Sequence, residues 1–431
     1  MTFLALGVFI SAFLLIIFEP WDKSIIALGG AILMVILGVL SPEEAILAVE
    51  FETILLLLGM MMLVNMASKS GILSWLNVHI ATLTRGNPLA IFFFFSLLTA
   101  VLSAFLDNVT TVILLVPLTI ELLKGMGRDP RLYIFAEIIF SNVGGALTLV
   151  GDPPNIIIGG ATGYSFLDFI QNLWGPITAC ITFLFLFFFL KNKKQFRPIA
   201  DNLTNLTLAT LLIQKIKHKF LKIPLHKGFI IKAIIVLVCT ITGFLLQEII
   251  HLPAFITAFS GAILLGIISA SHIDIHHSFR SVEWATLFFF AGLFIMVAGI
   301  EKTGLLETLS HWLVNTTSNI TYLALLILWV SGIVSMVLDN IPFVTVMIPV
   351  ILGIQTQFPE TQMATIWWAL SLGACLGGNG TLIGASANVV SANLARKGGY
   401  PISFMQYTKF SFPLTICMLI ICSVFIYFHL L

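Results

Sequence analysis

Charge is what this sequence has least of. Of its 431 residues only 10% are Asp, Glu, Lys or Arg, whereas 59% are hydrophobic, and the mean hydropathy is +1.07. Soluble globular domains carry about 25% charged residues, so this balance excludes them and indicates a polytopic membrane protein. Catalytic signatures are missing too. There is no HExxH, Walker A, GxSxG or Gly-rich dinucleotide fingerprint, so no enzymatic activity, no ATPase and no cofactor are expected. A formal net charge of +1 gives no basis for a nucleic-acid partner. Cysteine is scarce: Cys180, Cys239, Cys375, Cys417 and Cys422 lie in apolar segments without CxxC spacing and read as small hydrophobes. No Lys or Arg precedes the apolar run 2–18 and no small-residue cleavage site follows it, so it reads as a retained span.

What the chain does have is apolar runs of membrane-spanning length. In the first half they cover 2–18, 24–40, 51–67, 131–163 and 169–190; in the second, 229–247, 253–270, 284–300, 362–394 and 405–429. Amphipathic pieces at 71–84 and 304–316 each precede a long apolar stretch, 89–124 and 321–356, interrupted by Asp107-Asn108 or Asp339-Asn340. Each stretch is either a hairpin that re-enters the membrane or two complete spans with a polar break at the far surface. Charge distribution does not separate these readings, because both return the chain to its starting side. The Phe92–Phe95 run reads as lipid-facing bulk.

The two halves repeat. Ser103 through Pro117 matches Ser335 through Pro349 at Ser, Leu, Asp, Asn, Val and Pro. Glu50 through Gly59 aligns with Glu283 through Gly292, Lys69-Ser-Gly71 with Lys302-Thr-Gly304, and Gly144 through Asn155 with Gly377 through Asn388. The offset stays at 232 or 233. The expected organisation is a first repeat (1–190, hairpin 89–124, broken helix 131–163), a basic linker (191–228), and a second repeat (229–431, hairpin 321–356, broken helix 362–394). Residues 191–232 hold ten of the 21 Lys and Arg and one acid, Asp201, which places this region in the cytoplasm by the positive-inside rule. Counting five crossings each way puts both termini outside and inverts the second repeat relative to the first. All remaining Lys and Arg except Lys302 then fall on the cytoplasmic side.

An acidic residue inside an apolar membrane segment is costly and marks a functional site. An Asp-Asn turn at a hairpin tip leaves backbone groups unpaired unless protein or a water-filled cavity surrounds them. The oxygens of Asp107, Asn108 and Thr110 suit a hard cation or a proton; the plain structural alternative is an Asp that only caps the returning helix. Gly151-Asp152-Pro153-Pro154-Asn155 cannot continue a helix, and Gly380 through Asn388 breaks its partner with Gly, Ser and Asn. On this reading Asp107 faces Asp152 and Asp339 faces Ala385-Ser386. The first site therefore carries more oxygens and more negative charge, and is expected to be the main cation site. No span contains a central Lys or Arg. Glu137 falls within the first broken helix, and His272 through His277 reads as a solvated cytoplasmic loop.

At Leu106-Asp-Asn-Val-Thr-Thr111, Ala136 through Asn142, Gly151 through Asn155, Leu338-Asp-Asn-Ile-Pro342 and Gly377 through Asn388 the sequence resembles the ion transporter superfamily. The likeness is to its citrate-transporter-like group, with the melanosomal P protein and the arsenite efflux permeases. It extends from about residue 20 to 429. The resemblance implies an all-α polytopic membrane fold with two inverted repeats, re-entrant hairpins and an elevator-like motion. It implies substrate and ions held at Ser103, Asp107, Asn108, Thr110, Gly151, Asp152 and Asn155 in the first half. The second half would contribute Ser335, Asp339, Asn340, Asn379, Thr381, Gly384, Ser386 and Asn388. Na+ would sit at Asp107, Asn108 and Gly151, and the coupling ion is H+ or Na+. Related dicarboxylate carriers carry Ser-Asn-Thr at each tip; Asp-Asn here removes hydroxyls and adds charge, which argues against dicarboxylate symport. Na+/H+ antiport and arsenite or antimonite efflux both remain open, with a channel as a different class. A homodimer in the cell membrane is implied, and a soluble ATPase partner if the chain is of the arsenite type.

Overall fold

The computed structural model describes residues 2–18, 20–84, 86–196, 227–270, 275–316 and 319–429. Most of the predicted cytoplasmic linker and part of the His272–His277 loop lie outside the described residues. The first half forms α1 (Thr2–Phe18), α2 (Lys23–Ile36), α3 (Pro42–Leu47), α4 (Phe51–Lys69) and α5 (Ile72–Leu83). It continues with α6 (Pro88–Ser103), α7 (Asn108–Gly125), α8 (Arg131–Gly145), α9 (Pro153–Thr162) and α10 (Phe166–Lys191). The second half forms α11 (Lys227–Leu245), α12 (Gln247–Ile250), α13 (Ala254–Ser269), α14 (Ile275–Arg280), α15 (Trp284–Glu301) and α16 (Leu305–Thr316). It ends with α17 (Ile320–Ser335), α18 (Asn340–Leu352), α19 (Glu360–Gly377), α20 (Ser386–Lys397) and α21 (Phe404–His429). No strand occurs among the described residues.

Local chemistry sets the hairpin ends. Asn87 and Asn319 cap the entering arms α6 and α17, accepting from Leu89 N and Thr321 N, each at 2.9 Å. Both arms end in the same turn. Leu106 N donates to Leu102 O at 2.7 Å, and Leu338 N to Val334 O at 2.8 Å. The returning arms α7 and α18 then start at the Asn of each Asp-Asn pair. The broken helices part at 146–152, where Pro153 opens α9, and at 378–385, where Ala385 stands in extended backbone before α20.

The packing is reciprocal between halves. Each entering arm lies on the first part of its own broken helix, α6 on α8 and α17 on α19. The returning arms cross over, α7 onto α20 and α18 onto α9, and so do α4 onto α13 and α15 onto α2. Neither half therefore completes its own core. Among the described residues α4, α7, α10, α11, α15 and α21 are long and apolar enough to cross a membrane, and α1, α2, α6, α13, α17 and α18 are shorter apolar helices.

The Phe92–Phe95 run departs from the lipid-facing expectation. Phe93 is exposed, but Phe92 and Phe95 are buried, and Phe92 packs among Tyr133, Phe185, Phe188 and Phe196. A three-residue step returns to the same helix face, so one run serves both lipid and core.

Candidate functional site

The first tip is built on a helix start. Asp107 is the N-cap of α7, its carboxylate accepting from Thr110 N at 2.7 Å and from Thr110 Oγ1 at 2.5 Å. That satisfies one of the amides a helix N-terminus leaves open. The buried Ser103 hydroxyl donates to Asn108 Oδ1. At the second tip Asp339 caps α18 more loosely, accepting from Ile341 N at 3.5 Å. Its other oxygen accepts from Lys23 Nζ at 2.9 Å and Ser386 Oγ at 3.4 Å. The Ser335 hydroxyl donates to Ala374 O at 2.7 Å.

The breaks satisfy their own freed backbone. Asn155 Nδ2 donates to Ala146 O and Thr148 O at 3.0 and 2.9 Å. Asn388 Nδ2 does the same for Gly378 O and Thr381 O, at 2.8 and 2.9 Å. Hydroxyls then tie each break to its tip: Thr148 donates to Ala104 O, and Thr381 to Met336 O. The breaks are also joined to the opposite half. Asn142 Nδ2 donates to Asn388 Oδ1 and Asn379 Oδ1 at 3.0 and 2.9 Å, and Ser371 Oγ to Asn155 Oδ1 at 2.6 Å. Gly151 and Gly384 stand where tip and break touch backbone to backbone. A Cβ on Gly151 would lie 2.5 Å from Gly145 O and 2.7 Å from Ser103 O, and one on Gly384 2.7 Å from Gly378 O and 2.9 Å from Ser335 O.

Between tips and breaks lies a cavity of about 110 Å³. Asp107, Asn108, Asp152, Asp339, Asn340 and Ser386 line it. Ser103, Thr110, Gly151, Asn155, Ser335, Asn379, Thr381, Gly384 and Asn388 do not line it; their contacts hold the tips and breaks around it. Sequence reasoning missed the far wall, which α4 supplies with Met60 and Met61 and α15 with Glu283 and Thr286. Thr286 Oγ1 donates to Glu283 Oε2 at 3.1 Å. Glu283 stands just before the spanning part of α15; surrounding protein, and then the Asp107 charge, raise its pKa. Its alignment with Glu50 marked a repeat, and nothing in the sequence marked it as near a tip.

Two features of the site go beyond the sequence reading. Asp152 serves both tips: its oxygens lie 3.4 and 3.5 Å from Asn340 Nδ2 of the second, because the crossed packing sets α9 against α18, and the Asn108 side chain of the first is also beside it. A lysine also reaches the site. Lys23 begins α2, beyond any run that looked central, and its long stem carries the ammonium to Asp339. Glu137 is fully buried in α8, accepts from the Thr119 hydroxyl and does not line the cavity.

Residues 13–373 match the model of the citrate transporter family, CitMHS. The chain belongs to this family. An uncharacterized transporter of Mycobacterium bovis is 35% identical over 417 residues, 95% of this chain and 94% of that protein. The P protein of Mus musculus is 34% identical over 497 residues, which is 97% of this chain and 59% of that protein. Among solved structures, the Alcanivorax borkumensis YdaH transporter superposes with a TM-score of 0.52 at 16% identity, over 86% of this chain and 84% of that one, a likeness of fold. The citrate-family chain is thus a multi-pass membrane transporter, as its apolar helices and its relatives agree.

Proposed function

We propose that the chain is an ion-coupled secondary active transporter that carries a small inorganic ion or anion between its two Asp-Asn tips. The observation that carries this reading is the single cavity lined by both tips and both breaks. Two complete crossings in inverted halves would separate the tips by about 30 Å of hydrocarbon; a shared cavity favours re-entrant hairpins. Its volume of about 110 Å³ is several times what one water needs, which suits a small ion keeping part of its hydration.

The lining argues against free citrate as cargo. Asp107, Asp152, Asp339 and Glu283 meet one lysine there, so a multiply charged anion would enter against net negative charge. Na+, H+ or a neutral hydroxide such as As(OH)3 meets no such barrier, so Na+/H+ antiport and arsenite or antimonite efflux are the two readings within the class. Na+ would take the oxygens of Asp107 and Asn108, with Gly151 keeping the break close behind them. The hairpins and breaks (α6–α9 and α17–α20) would move as one body against α1, α2, α4, α11, α13 and α15, and the inverted repeats, residues 1–190 and 229–431, would exchange roles.

A cell-membrane location, with the 191–228 linker in the cytoplasm and the termini outside, is part of this proposal, and contacts between distant loops support the grouping of loops on two sides. Lys302 pairs with Glu44 at 2.6 Å, and Ser165 Oγ donates to Glu248 at 2.8 Å; all four positions are assigned outside. Lys69 Nζ donates to Ser278 Oγ at 3.2 Å, and Arg128 to Gln195 O; all four are assigned to the cytoplasm. A homodimer belongs to the same proposal, and a soluble ATPase partner to its arsenite reading. The test is flux in proteoliposomes after pH jumps and Na+ jumps, with an arsenite arm. Coupled counterflow is expected; a conductance that collapses any gradient without exchange would make the protein a channel.

A further inference from the structure

The two tips match in sequence and in turn geometry, yet their charges are held differently. Asp107 is satisfied from within its own turn, by the amide and hydroxyl of Thr110, and among the described residues it makes no ion pair. Asp339 instead has an ammonium 2.9 Å from its carboxylate, with Asp339 buried and Lys23 about a quarter exposed. The lysine comes from the start of α2, which packs on α1 and α15 and not on the hairpins. At the offset of 232 or 233 the matching position is Phe255 or Ile256, at the start of α13, so that position brings no lysine to the first tip.

We infer that Lys23 is a tethered cation occupying the place that a solution cation takes at the other tip. An ammonium in contact with a carboxylate supplies the same single positive charge as Na+ or a proton. The lysine approaches from a side walled largely by apolar side chains, Phe13, Ile16, Ile17 and Ile383. The remaining charges around Asp339 among the described residues are Asp152 of the first break and, across the cavity, Asp107 and Glu283; all three are acids, and Lys23 is the cation set against them. A cation at Asp339 and the Lys23 pair exclude one another. The pair therefore sets how many ions move per cycle, and because it joins α2 to a hairpin it must open whenever the hairpins slide.

The inference rests on the transport reading, and two readouts separate their failures. In proteoliposomes, Lys23→Met is expected to add a second cation-dependent step to flux, seen as a steeper dependence on Na+ or H+. Lys23→Arg should keep the parent's dependence, and Lys23→Met with Asp339→Asn should return to it. In purified protein, the melting temperature of Lys23→Met should rise with NaCl or with falling pH more than the parent's does, and the double variant should lose that excess. If the parent shows no coupled flux, the proposed function fails, and the melting series still decides the inference. Should Lys23→Met not fold, the double variant, which removes the Asp339 carboxylate as well, is expected to recover. A folded Lys23→Met with the parent's cation dependence in both assays, or a double variant that does not recover, would overturn the inference.

Discussion

Asp107 has two jobs that substitution can separate. As N-cap it accepts from Thr110 N, and Asn caps a helix about as well as Asp. As a carboxylate facing the cavity it carries a charge that Asn lacks. Asp107→Asn is therefore expected to leave the melting temperature of the purified protein unchanged and to abolish ion-coupled flux. If it transports with unaltered pH and Na+ dependence, the residue is a cap only. Asp339→Asn is a different case, since it removes a carboxylate that stands 2.9 Å from the Lys23 ammonium. Weaker flux with an altered pH profile is expected there. The carboxylates were legible in the sequence because a charge inside an apolar run needs a reason. Lys23 was not, because a lysine at a helix start reads as an ordinary surface residue until the fold shows where its stem leads.

At the scale of elements, the breaks were readable from Gly and Pro, but their neighbours were not. Gly151-Asp152-Pro153 announces an interrupted helix, and the interruption falls at 146–152. What periodicity could not give is the crossing of α9 onto α18, which brings Asn340 of the second tip to Asp152 as well. Crossed packing is a long-range choice that leaves no local trace. The close approach of tip and break within each half, at Gly151 and Gly384, is testable. Gly151→Ala puts a methyl 2.5 Å from a backbone carbonyl that cannot rotate away, so destabilisation of about 1–3 kcal/mol and loss of flux are expected. Gly384→Ala, at 2.7 Å, should cost less. Gly29→Ala in α2 meets open space and should be neutral or gain about 0.5–1 kcal/mol, a control for the substitution itself. Thermal melts of the three purified variants would rank them.

For the whole molecule the question is which surface each loop occupies. Charge counting proposes an assignment from sequence alone, with Lys302 as the exception. The fold gives that exception a reason: the Lys302 ammonium lies against both oxygens of Glu44, so its charge is neutralised on the side to which it was assigned. A topology error would shift one partner of such a pair across the bilayer, and the Lys69–Ser278 and Ser165–Glu248 contacts would separate in the same way. A wholesale reversal would keep every contact and exchange the two surfaces, so an orientation measurement is needed. With the native cysteines replaced, single cysteines in the 191–228 linker and at Arg280 should react with a membrane-impermeant thiol reagent only from the cytoplasmic side. Cysteines at Glu43 and His251, both exposed, should react only from outside. Labelling of all four from one face would break the five-crossing count and with it the inversion of the repeats. Labelling of the two pairs from the opposite faces would keep the inversion, reverse the protein in the membrane, and place the ten cations of residues 191–232 where the positive-inside rule does not expect them.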